Sequence, residues 1–181
     1  MKGVVFTEFL EMVEDRFSLD MVDRIIEQAD PPSGGAYTAV GTYDHREIVA
    51  LVTALGAESG TPLSDLLHGF GRHLFARFVQ GFPHFFEGQG DALRFLETVE
   101  HYIHVEVKKL YPDAELPSVL TRRDGPDRLT IIYRSDRAMA DLAHGLIAGC
   151  IDHFAEDIEV GVEAAPEDGG RLVRFELARA A

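Results

Sequence analysis

Apolar residues recur at helical spacing from Val4 towards Lys109, and β-rich or alternating runs appear later, at Leu129–Tyr133, Ile158–Glu163 and Arg171–Leu177. That switch of period, near Pro117, dictates an α+β chain in which helices and strands are segregated. In the first part, Val4 to Val13 and Leu19 towards Gln28 read as two amphipathic helices, and Pro31-Pro32-Ser33-Gly34-Gly35 breaks the pattern. Asp44 is placed to cap a helix over His45–Leu55, with Glu47 at the third position as in a capping box. Thr61 and Pro62 suit the cap and first turn of a helix reaching Gln80. Asp91 opens one long helix through Lys109, halted at Pro112. After Pro117, Leu129–Tyr133 reads as a strand, Ala138–Ala155 as a helix, and Ile158–Glu163 and Arg171–Leu177 as strands joined by a hairpin at Glu167-Asp168-Gly169-Gly170. The expectation is one domain over 1–181. A helical part of about 1–117 is followed by a part of about 118–181 holding a small antiparallel sheet and a packed helix.

The 17 basic and 31 acidic residues give a formal charge of −14. This argues against a nucleic-acid or anionic-membrane partner, which needs clustered Lys and Arg. A single cysteine, Cys150, excludes an internal disulfide and a Cys-rich metal site, and its run Leu146-Ile147-Ala148-Gly149-Cys150-Ile151 reads as a buried thiol. Glu8 and Glu11 interrupt the short apolar start, so no signal peptide is expected, and no stretch reaches the length of a membrane span. The expected location is cytoplasmic.

Two features carry chemistry. Tyr133, Ser135 and Arg137 stand at alternate positions, so an extended segment turns a phenol, a hydroxyl and a guanidinium to one side. A guanidinium flanked by hydroxyls suits a carboxylate or phosphate. Tyr133 ends the strand and Arg137 borders the next helix, so the three straddle a junction and the common face is an approximation. The second feature is His104. On the Asp91 helix it lies beside Ile103, Val107 and Tyr111, whereas His101 falls on a polar face with Arg94, Glu97 and Lys108. A neutral imidazole facing an apolar cavity suits a metal, although a histidine on an apolar helical face is, taken alone, more often a hydrogen-bonded core residue. Together the two features fit a ligand with a metal centre and peripheral carboxylates, and heme has both. The clustered phenylalanines, Phe6 and Phe9 and then Phe70 to Phe86, are equally an ordinary core or the wall of a porphyrin pocket.

With these residues in order, the chain resembles the heme nitric oxide/oxygen binding (H-NOX) domain. The resemblance rests on Met1-Lys2-Gly3-Val4-Val5-Phe6, on Ile103-His104 with the Tyr111-Pro112 to Pro117 segment, and on Tyr133-x-Ser135-x-Arg137. It implies a heme b (iron protoporphyrin IX) pocket between the helical and α/β parts. His104 would be the proximal ligand of a five-coordinate ferrous iron, and Tyr133, Ser135 and Arg137 the propionate clamp. Pro117 matches a proline that presses on the porphyrin. Val5, Phe9, Leu74, Phe78, Leu142 and Leu146 match the distal pocket, with the neighbouring His73 expected to face elsewhere. Oxygen-binding members carry a distal tyrosine where this chain has Leu142. The resemblance therefore implies a sensor of nitric oxide, with carbon monoxide tolerated and oxygen excluded. Gas on the distal side would weaken the iron–His104 bond and shift its helix. With Ala181 as the last residue and no output domain before it, the signal is expected to pass to a separate effector such as a histidine kinase or a cyclic-di-GMP enzyme.

Other readings compete. An oxygen-binding heme sensor would share every feature except the bare distal wall. Glu97, Glu100, His101 and His104 could belong to a dinuclear metal enzyme if His153 and Glu156 supplied the matching set, but the order and spacing do not follow the Glu-x-x-His pattern. A plain interaction module would leave Tyr133 and Arg137 as surface strand residues and His104 as core.

Overall fold

The computed structural model describes residues 1–164 and 171–180. Its elements run α1 (Gly3–Arg16), α2 (Leu19–Ala29), α3 (His45–Ser59), α4 (Leu63–Gly81), α5 (Ala92–Thr98), α6 (His104–Leu110), β1 (Ser118–Arg123), β2 (Arg128–Arg134), α7 (Ala140–His153), β3 (Ile158–Ala164) and β4 (Leu172–Arg179). The strands form one antiparallel sheet in the order β1-β2-β4-β3. The architecture is α+β, with the change of character at Pro117 where the sequence places it. The expected hairpin turn Glu167–Gly170 lies outside the described residues. β1 was not foreseen: Ser118-Val119-Leu120-Thr121-Arg122-Arg123 is too polar to read as a strand, and its partner on β2 supplies the order.

Local signals explain several boundaries. Ser18 accepts the Met21 N–H at 3.1 Å to open α2, and Asp91 accepts the Arg94 N–H at 2.9 Å to open α5. Asp44 caps α3 as expected, accepting the Arg46 N–H at 2.9 Å. The capping box does not form. Glu47 is buried and accepts instead from the Ser33 hydroxyl at 2.5 Å and the Tyr37 hydroxyl at 3.0 Å. Three hydroxyl and amide donors from the loop after α2 satisfy this carboxylate, which a capping role would leave half-solvated. Thr61 does not cap α4 either. Pro62 occupies that position without a side-chain bond, one residue later than expected.

The largest departure lies in the long helix. It is α-helical over Ala92–Thr98, opens into a π-helical turn over Val99–Ile103, and resumes as α6. The His104 N–H bonds to the Val99 carbonyl five residues back. Facing directions counted at a uniform 100° per residue are thus offset across this turn. Such turns are rare and concentrate at functional sites.

Two hydrophobic cores result. The helical core gathers Phe6, Phe9, Met12, Ile25, Leu51, Leu55, Phe70 and Leu74. The sheet core gathers Phe75, Leu93, Phe95, Leu129, Ile131, Cys150 and Phe175. Leu74 and Phe75 are adjacent on α4 yet serve different cores, because neighbours on a helix diverge by about 100°. Leu146 packs against both. α4 and α7 therefore straddle the boundary, and they cross at backbone contact. A Cβ added to Gly71 would fall 2.7 Å from the Gly145 Cα and the Leu146 nitrogen. Gly71 thus serves close packing.

Burial sets a pH limit on this packing. His73, between α1 and α4, and His144, whose ring stands 4.6 Å from His68 across α4 and α7, are both held below the ordinary histidine value. Desolvation is the main cause in each. Glu8 opposes it for His73, whereas for His144 the neighbouring His68 adds to it and Asp141 opposes it. Unfolded, these imidazoles take up protons near pH ~6.5, before the folded ones do. The stability they contribute is therefore complete above that value and lost as pH falls through the lower folded values. The urea midpoint should drop between about pH 7 and pH 5, and the drop should shrink in His144→Asn. An equal drop in the variant would place the titration elsewhere.

Candidate functional site

His104 opens α6 directly after the π turn, and its side chain is 16% exposed. Burial lowers its pKa, with Glu100 opposing and Lys108 assisting, so the ring is neutral at neutral pH. Its Nδ1 stands 3.2 Å from Glu100 Oε2, and the same oxygen accepts the Val119 N–H at 2.9 Å. A carboxylate can only accept, so Nδ1 carries the proton and Nε2 keeps its lone pair. That is the donor an axial iron ligand requires.

Tyr133 and Arg137 are not surface strand residues. Tyr133 is 5% exposed, the last inward residue of β2, and its hydroxyl sits with the Ser135 side chain, Arg137 and the Met139 backbone. Burial pushes its phenol up, and those three neighbours oppose the shift. Ser135 and Arg137 lie in the turn between β2 and α7, where the Arg137 N–H bonds the Ser135 hydroxyl at 3.2 Å and Ala138 adopts φ 51°. The Arg137 guanidinium grips one carboxylate already, bonding the Glu115 carbonyl at 2.8 Å and the Glu115 carboxylate at 2.7 Å. The three side chains thus converge, and the guanidinium demonstrably takes a carboxylate in this setting.

The segment leading to Pro117 is fastened to the chain start. Lys2 pairs with Asp113 at 3.3 Å and lies 5.0 Å over the Tyr111 ring, and Thr42 donates to Asp113 at 2.7 Å. The Met1 ammonium donates to the Tyr43 carbonyl at 2.7 Å, and the Gly3 N–H to the Gly41 carbonyl at 2.8 Å. Gly3 must be glycine here, since the Thr38 carbonyl occupies the place of a Cβ. The Met-Lys-Gly start is therefore a physical latch, placed beside Arg137 and Glu115. Pro117 is half-buried at the end of this segment.

Val5, Phe78, Leu142 and Leu146 are partly buried at the margin of the helical core, with Phe9 and Leu74 wholly inside it. All six belong to α1, α4 and α7 and are hydrocarbon. His73 turns to Glu8 Oε2 at 3.6 Å on the α1–α4 seam. Cys150 is buried, its thiol pushed well up by desolvation, an inert core residue. Among the described residues no group of three or more His, Cys, Asp or Glu side chains could hold a metal ion. Glu97 faces Arg123 at 3.8 Å and Glu156 pairs with Arg179 at 3.0 Å, so the dinuclear arrangement does not assemble. Among the described residues no helix is long and apolar enough to cross a membrane. Sequence reasoning missed Glu100 and Glu115 as partners of the site. The first had a signal, its position four residues before His104; the second, separated from Arg137 by 22 residues, had none.

Comparison with known proteins converges on one family. A model described as Haem-NO-binding matches residues 2–162. The unliganded Fe(II) H-NOX protein from K. algicida is 39% identical, with 100% of this chain and 97% of that chain covered and a TM-score of 0.94. The H-NOX from Shewanella woodyi, solved with IWP-051 in the Fe(II)CO state, is 37% identical over 99% of this chain and 95% of that chain, at a TM-score of 0.85. The H-NOX protein from S. oneidensis in the Fe(II)NO state shares the fold at a TM-score of 0.91, with 22% identity and 100% of both chains covered. No curated protein matches the chain. A neutral, half-buried imidazole and a carboxylate-gripping turn thus stand on a fold shared along its whole length, and the chain belongs to the Haem-NO-binding (H-NOX) family.

Proposed function

We propose that this chain is a cytoplasmic sensor of nitric oxide, with no catalysis of its own, that signals to a separate effector protein. The observation that carries the reading is the all-hydrocarbon set Val5, Phe9, Leu74, Phe78, Leu142 and Leu146 on α1, α4 and α7, together with a histidine whose lone pair is held free. When bound, heme b supplies a ferrous iron that takes up diatomic gases. His104 Nε2 would hold that iron, Tyr133, Ser135 and Arg137 would hold the propionates in place of Glu115, and Pro117 would bear on the ring. Dioxygen draws negative charge to its outer atom and needs a hydrogen-bond donor, whereas nitric oxide and carbon monoxide do not. The six distal side chains offer none. The S. woodyi and S. oneidensis relatives were captured with carbon monoxide and nitric oxide, which supports the ligand class.

The effector, a histidine kinase or a cyclic-di-GMP enzyme, would read the position of the His104 segment. Mixing the reduced protein with air should give slow oxidation and no stable oxygenated spectrum, while nitric oxide shifts the Soret band at once. Leu142→Tyr should bring in oxygen affinity by adding one phenol donor to the wall. A stable oxygen complex in the unmodified protein would instead favour the oxygen-sensor reading.

A further inference from the structure

The Glu100 carboxylate touches both the His104 ring and the sheet. It leaves the π turn, accepts from His104 Nδ1 at 3.2 Å, and accepts from the Val119 N–H at 2.9 Å. β1 is an edge strand, so an N–H turned away from β2 needs a partner from outside the sheet. Val119 is also the residue paired with Tyr133 across β1 and β2. A path of three contacts thus runs from the imidazole, through one carboxylate oxygen, to the strand pair that carries the first member of the clamp.

The contact spans the π turn. The turn lies between Val99 and His104, and Glu100, four residues upstream, meets the ring as side chains at that spacing do. Glu100 makes no ion pair with Lys or Arg among the described residues, so its two acceptor contacts are the role the structure gives it.

We propose that Glu100 is a positioning residue for the iron ligand: it fixes the His104 tautomer, strengthens the imidazole as a donor and couples His104 to β1 at the position paired with Tyr133. The inference rests on the reading of His104 as the ligand. A carboxylate accepting the distant N–H lends the ring imidazolate character and raises its basicity towards a metal. It therefore opposes release of His104 and sets how readily the ligand lets go. When His104 moves, the shared oxygen makes β1 feel the displacement.

The test compares Glu100→Gln and Glu100→Ala, each loaded with heme and reduced. Glu100→Gln keeps an acceptor for both N–H groups but removes the charge. Its iron–histidine stretching band in resonance Raman should fall in frequency with heme retained, and a larger fraction of its nitric oxide complex should lose the histidine. Glu100→Ala should show the same shifts more strongly, with heme affinity down ~10-fold or more. An unchanged band in both variants, heme still bound, would reduce Glu100 to an anchor for β1 and overturn the proposal. Failure of the underlying reading looks different: the unmodified protein then shows no such band, or the band survives in His104→Gly.

Discussion

His104→Gly is expected to abolish heme retention, and imidazole added during expression or refolding is expected to restore it. The ring is neutral, largely buried and presented with Nε2 unprotonated, so it is the donor proposed to hold the iron. Removing only a supporting partner of a metal-bound histidine typically costs 10–100-fold in affinity, and removing the ligand should cost at least ~100-fold. Free imidazole can enter the space left by the side chain and meet the iron, but it has no tether to α6. The rescued protein should therefore bind gas while no longer moving the helix. His101 provides the control. It is exposed on the neighbouring polar face, and His101→Gly should keep heme at the level of the unmodified protein. Heme retained in full by His104→Gly would assign the ligand to another residue.

Gly145→Ala should produce a large loss of stability from a single methyl group. At this crossing α7 runs against α4 with glycine on both sides, and a Cβ on Gly145 would collide with the His68 carbonyl and stand 2.9 Å from the Gly71 Cα. Both obstacles are helix backbone and cannot rotate away, so the two helices must separate. Overpacking of this kind costs about 3 kcal/mol, or a fall of ~10 °C in Tm for a chain of this size. The consequence reaches the proposed distal wall, since α4 supplies Leu74 and Phe78 and α7 supplies Leu142 and Leu146. Where the variant still folds, the separated helices should admit carbon monoxide faster than the parent. Gly69→Ala serves as the contrast: its Cβ would meet just the end of the Arg16 side chain at 3.2 Å, and the variant should melt near the parent temperature. Equal melting of Gly145→Ala and Gly69→Ala would show that the helices have room to spare.

What could be read without coordinates followed the local rules. The change of period at Pro117, the Asp44 and Asp91 caps and the junction at Tyr133-x-Ser135-x-Arg137 depend on neighbours within a few residues, and all stand where the sequence puts them. Glu47 failed as a capping residue because its partners, Ser33 and Tyr37, come from a preceding loop whose path no local pattern encodes. β1 escaped notice because an edge strand exposed on one side needs little hydrophobic alternation once β2 provides its hydrogen bonds. The π turn was invisible for a different reason. It alters the hydrogen-bond register by one residue without changing the composition of the helix. The convergence of Tyr133, Ser135 and Arg137 was legible because the three stand within five residues of one another. The site's supporting contacts, from Glu100, Glu115 and the Met1-Lys2-Gly3 latch, were set by tertiary proximity.

The most direct measurement is an optical titration of the heme-free protein with hemin, followed by reduction under argon. One equivalent should be taken up to a sharp end point, with a strong Soret band that becomes, on reduction, the spectrum of a five-coordinate ferrous heme ligated by one histidine. A titration that yields nothing beyond the spectrum of free hemin, from protein that melts cooperatively, would contradict a heme site in this chain.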